Sequence, residues 1–266
     1  MPNTNNLPAG SPAEIYEGQM VPAIFGPWSA DLLERVNPQP GERVLDVACG
    51  TGIVARQAVS MVGATGRVVG FDMNAGMLNK ARSLDASIEW KEGDALSMPF
   101  PDQGFDLVVC HQGLQLFPDR AKAVREMHRV LTPNGRLGIA VWCSIEGSPG
   151  YLALARALER KVDASAARLM DEPFCLSDGR EIRALLEDGG FREINVSRVS
   201  HMARFASPEE FTRAIVVGSI MRRTGTRFSD ETIRLMIDDV TVELQSYVSD
   251  DGLTLPMEAH LATARK

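Results

Sequence analysis

Residues 44–56, VLDVACGTGIVAR, constrain this chain more than any other stretch: an apolar run, a Gly50-Thr51-Gly52 turn and a second apolar run read as buried strand, tight loop and helix. Glycines there let the backbone approach a ligand closely, and the helix start offers free N–H groups. Asp72 lies 20 residues after Gly52, at the end of the next strand-like run, where a carboxylate can accept both hydroxyl protons of a ribose. Together these features point to an adenosine-containing ligand. Gly50-x-Gly52-x-x-Ala55 also satisfies the dinucleotide fingerprint, so the loop alone leaves a nicotinamide cofactor open.

Strand-like runs rich in Val, Ile and Leu recur at 43–48, 67–72, 88–91, 105–110 and 136–143, with helix-compatible segments between them. That βαβ series predicts a parallel sheet with helices on both faces. The helix before 136–143 starts at Asp119, carries Ala121, Val124, His128 and Leu131 on one face and stops at Pro133-Asn134-Gly135. Further on, Ser148-Pro149 opens a helix to about 162, and Ser177 opens one that ends at Gly189-Gly190. Residues 191–199 read as a strand. Ser207-Pro208-Glu209-Glu210 reads as a capping box, and Ser229 caps a helix whose stripe is Ile233, Ile237, Val240, Leu244 and Val248. Residues 253–263 can close the sheet. The expected organisation is one domain: an N-terminal helical cap at 1–36, a cofactor-binding core at 37–143, and inserts at 144–177 and 206–252 as candidate lids over the substrate.

The chain has 266 residues, with 28 Lys+Arg against 35 Asp+Glu and a net charge of −7, which argues against a nucleic-acid-coating protein. No apolar run reaches the roughly 20 residues that span a bilayer, and the first residues lack a signal peptide's basic and apolar regions. Cys49, Cys110, Cys143 and Cys175 form no CxxC pair, so a disulfide framework and a zinc module are both unsupported. A cytoplasmic protein is expected.

Four more features add to the loop and Asp72: Asp46 four positions before Gly50, Gly93-Asp94-Ala95 after the third strand, the FDLVVC run at 105–110 and the strand-like C-terminal end. With these the sequence resembles the class I S-adenosylmethionine-dependent methyltransferases over about 16–142. Within them it looks most like the branch that includes the ubiquinone and menaquinone C-methyltransferases and many natural-product enzymes. The resemblance implies a Rossmann-like sheet of seven mostly parallel strands, the last antiparallel. It implies that Asp46, Ala48, Cys49, Gly50, Thr51 and Gly52 wrap the methionine part of S-adenosylmethionine and that Asp72 holds its ribose. Met73 and Met77 would border the adenine, Asp94 would accept from the adenine amino group with Gly93 and Ala95 beside it, and Cys110, His111 and Gln112 would face the methyl group. The segment after the fourth strand, CHQGLQLFPD, lacks the Asn/Asp-Pro-Pro-Tyr motif of nucleic-acid amino-methylating enzymes.

The expected activity is methylation of oxygen, nitrogen or carbon on a small-molecule metabolite. Alternatives are a protein that holds S-adenosylmethionine for a non-methylating step or as a sensor, and, last, a nicotinamide oxidoreductase. Displacement at a sulfonium-activated carbon needs alignment more than a strong base. His111 is the one titratable side chain placed by motif at the reaction face, either as general base or as a positioning group. Tyr16, Phe25 and Trp28 either form an aromatic wall to a substrate pocket or only anchor their helices. His128 reads as a satisfied border residue. Three thiols could gather at one sheet edge, but strand-end packing explains them better, and no metal is expected. The oligomeric state, monomer or homodimer, is open.

Overall fold

The apolar runs become strands that pair side by side in a computed structural model, which describes residues 11–266. The strands are β1 (Arg43–Val47), β2 (Arg67–Asp72), β3 (Glu89–Glu92), β4 (Phe105–His111), β5 (Leu131–Trp142), β6 (Arg192–Phe205), β7 (Val248–Ser249) and β8 (Gly252–Arg265). They lie in the order β3-β2-β1-β4-β5-β8-β6, with β7 paired to β8. β1 pairs in parallel with β2 and β4, as do β2 with β3 and β4 with β5, whereas β8 runs antiparallel to β5. The expected Rossmann-like sheet with an antiparallel last strand is therefore present, and two-residue β7 brings the count to eight. Residues 1–10, the start of the expected cap, lie outside the described residues.

The chain divides into two units, one comprising residues up to Phe25, Ile145–Glu172 and His201–Met257, the other Gly26–Ser144, Pro173–Ser200 and Glu258–Lys266. In the second, the sheet unit, β1, β4 and β5 are apolar nearly throughout because helices cover both faces. On one face Leu45, Val47, Val69, Phe71, Val108 and Val141 meet Ala123, Val124 and Met127 of the Arg120–Val130 helix, and Ile182 and Leu186 of the Gly179–Asp188 helix. On the other, Gly138 has no side chain, so Leu32 and Val36 of the Gly26–Val36 helix seat directly on β5. Arg43 ties β1 to β4 by a bidentate pair with Asp106, at 2.8 and 2.9 Å.

Several boundaries differ from expectation, among them the helix expected to open at Ser177, which is capped by Asp178 through Arg180 N–H at 2.8 Å. The helix capped by Asp119, whose carboxylate accepts from Lys122 N–H at 2.8 Å, ends at Val130, and β5 begins at once because Leu131 is buried beside Phe105. Pro133-Asn134-Gly135 survives as a bulge: the register jumps from Phe105↔Leu131 to Leu107↔Arg136, with Asn134 at φ +65°. The N-terminal segment is also not one piece, since Pro12–Ile15 and the wide-wound Tyr16–Phe25 helix fall in the first unit and Gly26–Val36 in the sheet unit.

The first unit is largely helical, as expected for the two inserts. Ser207 caps Pro208–Ile215 by accepting from Glu210 N–H at 3.1 Å, but the Glu210 carboxylate reaches back to Ala206 N–H, one residue beyond the expected capping-box partner. Ser229 caps Asp230–Glu243, where Ile233, Ile237 and Val240 are buried. That helix stops at Glu243, with Leu244 buried at its C-cap and Val248 exposed in β7, so the expected stripe overruns the helix. Arg156 and Arg160 of Pro149–Lys161 pair with Glu243 and Asp239 at 2.6 and 2.8 Å.

Candidate functional site

Because β1 leads to β2 on one side and β4 leads to β5 on the other, the strand order reverses between β1 and β4, and their C-terminal ends flank a crevice. The backbone there is held in left-handed conformations: Ala48 at φ +57°, Gly50 at +57°, Gly52 at +84° and Gln112 at +57°. Two of the four are not glycine, and such strain concentrates at binding sites. Gly113 lets the two strand ends meet, since a Cβ there would lie 2.6 Å from that of Ala48.

Asp46 is 1% exposed. One carboxylate oxygen accepts from Ala55 N–H in the first turn of the Ile53–Val62 helix at 3.0 Å, and the other, Oδ1, has no hydrogen-bond partner among the described residues. Thr51 Oγ1 is in the same position. Buried polar atoms left unpaired are costly, and a ligand with donors of its own would satisfy both. Asp72, at the end of β2, accepts from Gly50 N–H and Asn74 N–H, both at 2.8 Å, so it clamps the glycine loop to β2. A carboxylate oxygen can accept more than one hydrogen bond, the property a ribose diol needs. The loop, the unpaired Asp46 oxygen and Asp72 form a cradle suited to an adenosine ligand with a cationic amino-acid tail.

Burial pushes the Asp46 carboxyl up to about 8, aided by the Asp72 charge and opposed by Ala55 N–H. Burial alone holds His111 down to about 3. An acid whose folded value is raised binds its proton more tightly in the folded state, so folding weakens as pH rises between about 4 and 8. A histidine whose folded value is lowered does the reverse from about 3 to 6.5. The two oppose each other below pH 6.5, and from 6.5 to 8 Asp46 acts alone. In urea denaturation the ligand-free chain is expected to lose about 2 kcal/mol of stability from pH 6.5 to 8, and Asp46→Asn to stay flat. The same slope in both would refute the assignment.

The other expected residues stand as follows. Met73 is 76% exposed beside Asp72, whereas Met77 is 2% exposed, its side chain turned into the core. Gly93 N–H donates to Asp72 C=O, Asp94 is exposed and caps its own turn through Leu96 N–H, and Ala95 is buried. His111 is buried and neutral at neutral pH, which weakens it as a base and favours a positioning role. Tyr16 stacks on Phe25 at 5.0 Å within the first unit. Trp28 is buried edge-on against Trp142 at 5.6 Å, an anchor in the sheet unit's core and not a pocket wall. The thiols do not gather: Cys49 sits by Gly70, while Cys110 lies in the core cluster on the opposite face with Val69 and Phe71. Burial pushes Cys110 up to about 12 and Cys143 to about 11, so both stay protonated. Among the described residues no group of three or more His, Cys, Asp or Glu is arranged to hold a metal, and no helix is long and apolar enough to cross a membrane.

Two residues were missed. Trp90, on β3, lies over Gly70 and against Gly52, so it floors the glycine loop. Gln115, buried just after β4, donates to the Gln112 amide at 3.2 Å; its only signal was the CHQGLQ run.

Residues 44–135 match a family model described as a methyltransferase domain. The chain is 41% identical over 136 residues to a 2-phytyl-1,4-naphthoquinone methyltransferase of Synechococcus elongatus, covering 48% of this chain and 58% of that enzyme, so it spans little more than half the length of this relative. It is 34% identical over 185 residues to a ubiquinone/menaquinone biosynthesis C-methyltransferase of Ectopseudomonas mendocina, covering 63% and 72%. It is 39% identical over 186 residues to a demethylmenaquinone methyltransferase of Staphylococcus epidermidis, covering 64% and 76%. The chain belongs to the class I S-adenosylmethionine-dependent methyltransferase family. Its likeness is to the ubiquinone/menaquinone branch, as the sequence features implied. The fold is shared with phosphoethanolamine N-methyltransferase 2 of Haemonchus contortus, solved with S-adenosyl-L-methionine, at TM-score 0.57 and 22% identity over 90% of this chain and 52% of that one. It is also shared with the [4+2]-cyclase SpnF, at TM-score 0.55 and 21% identity over 91% and 80%. A family member's fold thus leaves the reaction open, and the site residues must carry it.

Proposed function

We propose that this chain transfers a methyl group from S-adenosylmethionine to a small-molecule acceptor with a quinone-derived or similar apolar ring. The observation that carries the reading is the buried Asp46 with its unpaired oxygen, set one helix turn from a glycine loop that Asp72 clamps. The named relatives support the acceptor class. Bound S-adenosylmethionine would supply a methyl carbon already activated by sulfonium. Asp46, Ala48, Cys49, Gly50, Thr51 and Gly52 are assigned to its amino-acid end, Asp72 to the ribose, Met73, Gly93, Asp94 and Ala95 to the adenine, and Cys110, His111 and Gln112 to the methyl side. Met77 contributes by packing beneath that edge. Neutral His111 orients by hydrogen bonding, and the buried strand ends exclude water so that alignment supplies the rate. Acceptor choice is assigned to residues 144–177 and 206–252, and the cytoplasm is the proposed location.

Transfer of radiolabelled methyl to a panel of reduced naphthoquinones and phenols tests this reading. Label in an acceptor with equimolar S-adenosylhomocysteine is expected. Cofactor binding without S-adenosylhomocysteine from any acceptor would favour a non-methylating role instead.

A further inference from the structure

The turn after β4 holds two side-chain amides that satisfy each other only in part. Gln115 is 3% exposed and donates its Nε2 to Gln112 Oε1 at 3.2 Å. That leaves Gln112 Nε2 and Gln115 Oε1 buried with no partner among the described residues. Exchanging oxygen and nitrogen in both amides leaves the same complement, one unpartnered amide NH2 and one unpartnered amide C=O. The pair is also built in place. Gln112 is held at φ +57° with its N–H on Ala140 C=O at 2.8 Å. The Gln115 main-chain carbonyl accepts from Arg120 Nη2 at 3.1 Å and from the Cys175 thiol at 3.3 Å. Both amides thus sit on fixed backbone at the β4 side of the crevice, where Gly113 abuts Ala48 of the glycine loop.

Leaving two such atoms unpaired costs stability, and a hydroxyl brought in by a ligand would satisfy both. The complement is neutral and mixed, an amide NH2 and an amide C=O, which suits a hydroxyl, itself donor and acceptor, better than a phosphate or carboxylate, whose oxygens only accept. We propose that Gln115 and Gln112 clamp a free hydroxyl of the methyl acceptor, one amide donating to its oxygen and the other accepting its proton in a hydrogen bond, so that Gln115 sets a preference for a hydroxyl over its methyl ether. This rests on the methyltransferase reading. Gln115 is a positioning and specificity residue, and no proton leaves the acceptor through it.

The test is calorimetric titration of the S-adenosylhomocysteine-loaded chain with 1,4-dihydroxynaphthalene, kept reduced under nitrogen, and with 1,4-dimethoxynaphthalene. Wild type is expected to prefer the dihydroxy probe by about tenfold, the effect of one buried hydrogen bond left unmade. Gln115→Met, close in volume, is expected to erase that preference while S-adenosylhomocysteine affinity stays within about twofold. Equal binding of the two probes by wild type would overturn the inference while the methyltransferase reading stands, and it needs no variant. A preference that survives in Gln115→Met, or a comparable fall in S-adenosylhomocysteine affinity, would also overturn it, the latter by making Gln115 a cofactor residue. A wild type that binds no S-adenosylhomocysteine would remove the methyltransferase reading and the inference with it.

Discussion

Asp72→Ala is expected to weaken S-adenosylhomocysteine binding by about a hundredfold, which corresponds to loss of two charge-assisted hydrogen bonds at roughly 1.5 kcal/mol each. The carboxylate has two tasks. It accepts from Gly50 N–H and Asn74 N–H, which fixes the glycine loop against the end of β2, and it is the carboxylate assigned to the ribose. Removing it costs the ligand contacts and leaves the loop without its clamp. Thermal denaturation separates the two losses: the ligand-free variant is expected to melt only a few degrees lower, a stability change of about 1 kcal/mol. Calorimetry showing unchanged affinity would mean that the carboxylate serves the loop and not the ligand.

Gly52→Ala is expected to destabilise the chain by about 3 kcal/mol, combining a left-handed backbone with a steric clash. At φ +84° a Cβ is disfavoured, and it would also come within 2.1 Å of the Trp90 ring. Trp90 cannot swing away freely, since its indole N–H donates to Asp85 C=O at 2.7 Å. Adding Trp90→Leu should relieve the clash and recover part of the loss, leaving the backbone share. Urea denaturation of the single and double variants measures this. A Gly52→Ala chain within about 0.5 kcal/mol of wild type would mean that neither the conformation nor the indole constrains that position.

The parts that were legible in the sequence are those fixed by local rules. Strands β1, β2 and β4, the loop from Ala48 to Gly52 and the Asp72 carboxylate all follow from short-range periodicity, glycine placement and spacing. What escaped was set by tertiary placement. Trp28 was open as wall or anchor until its packing against Trp142 put it in the core. Met77 was expected near the adenine, but its place in the first turn of the Ala75–Leu84 helix turns it inward. The weakness of His111 as a base comes from burial that no spacing reveals. Gln115 follows a strand and carries no motif, so only its buried, half-satisfied amide marks it. Val248 fits the stripe of its helix by spacing, yet the helix ends at Glu243.

Calorimetric titration of the purified chain with S-adenosylmethionine and S-adenosylhomocysteine, with NAD as the control ligand, tests the cofactor assignment most directly. Saturable one-to-one binding of the first two and none of NAD is expected from the Asp46, glycine-loop and Asp72 cradle. Binding of NAD, with no heat from either of the others, would contradict it.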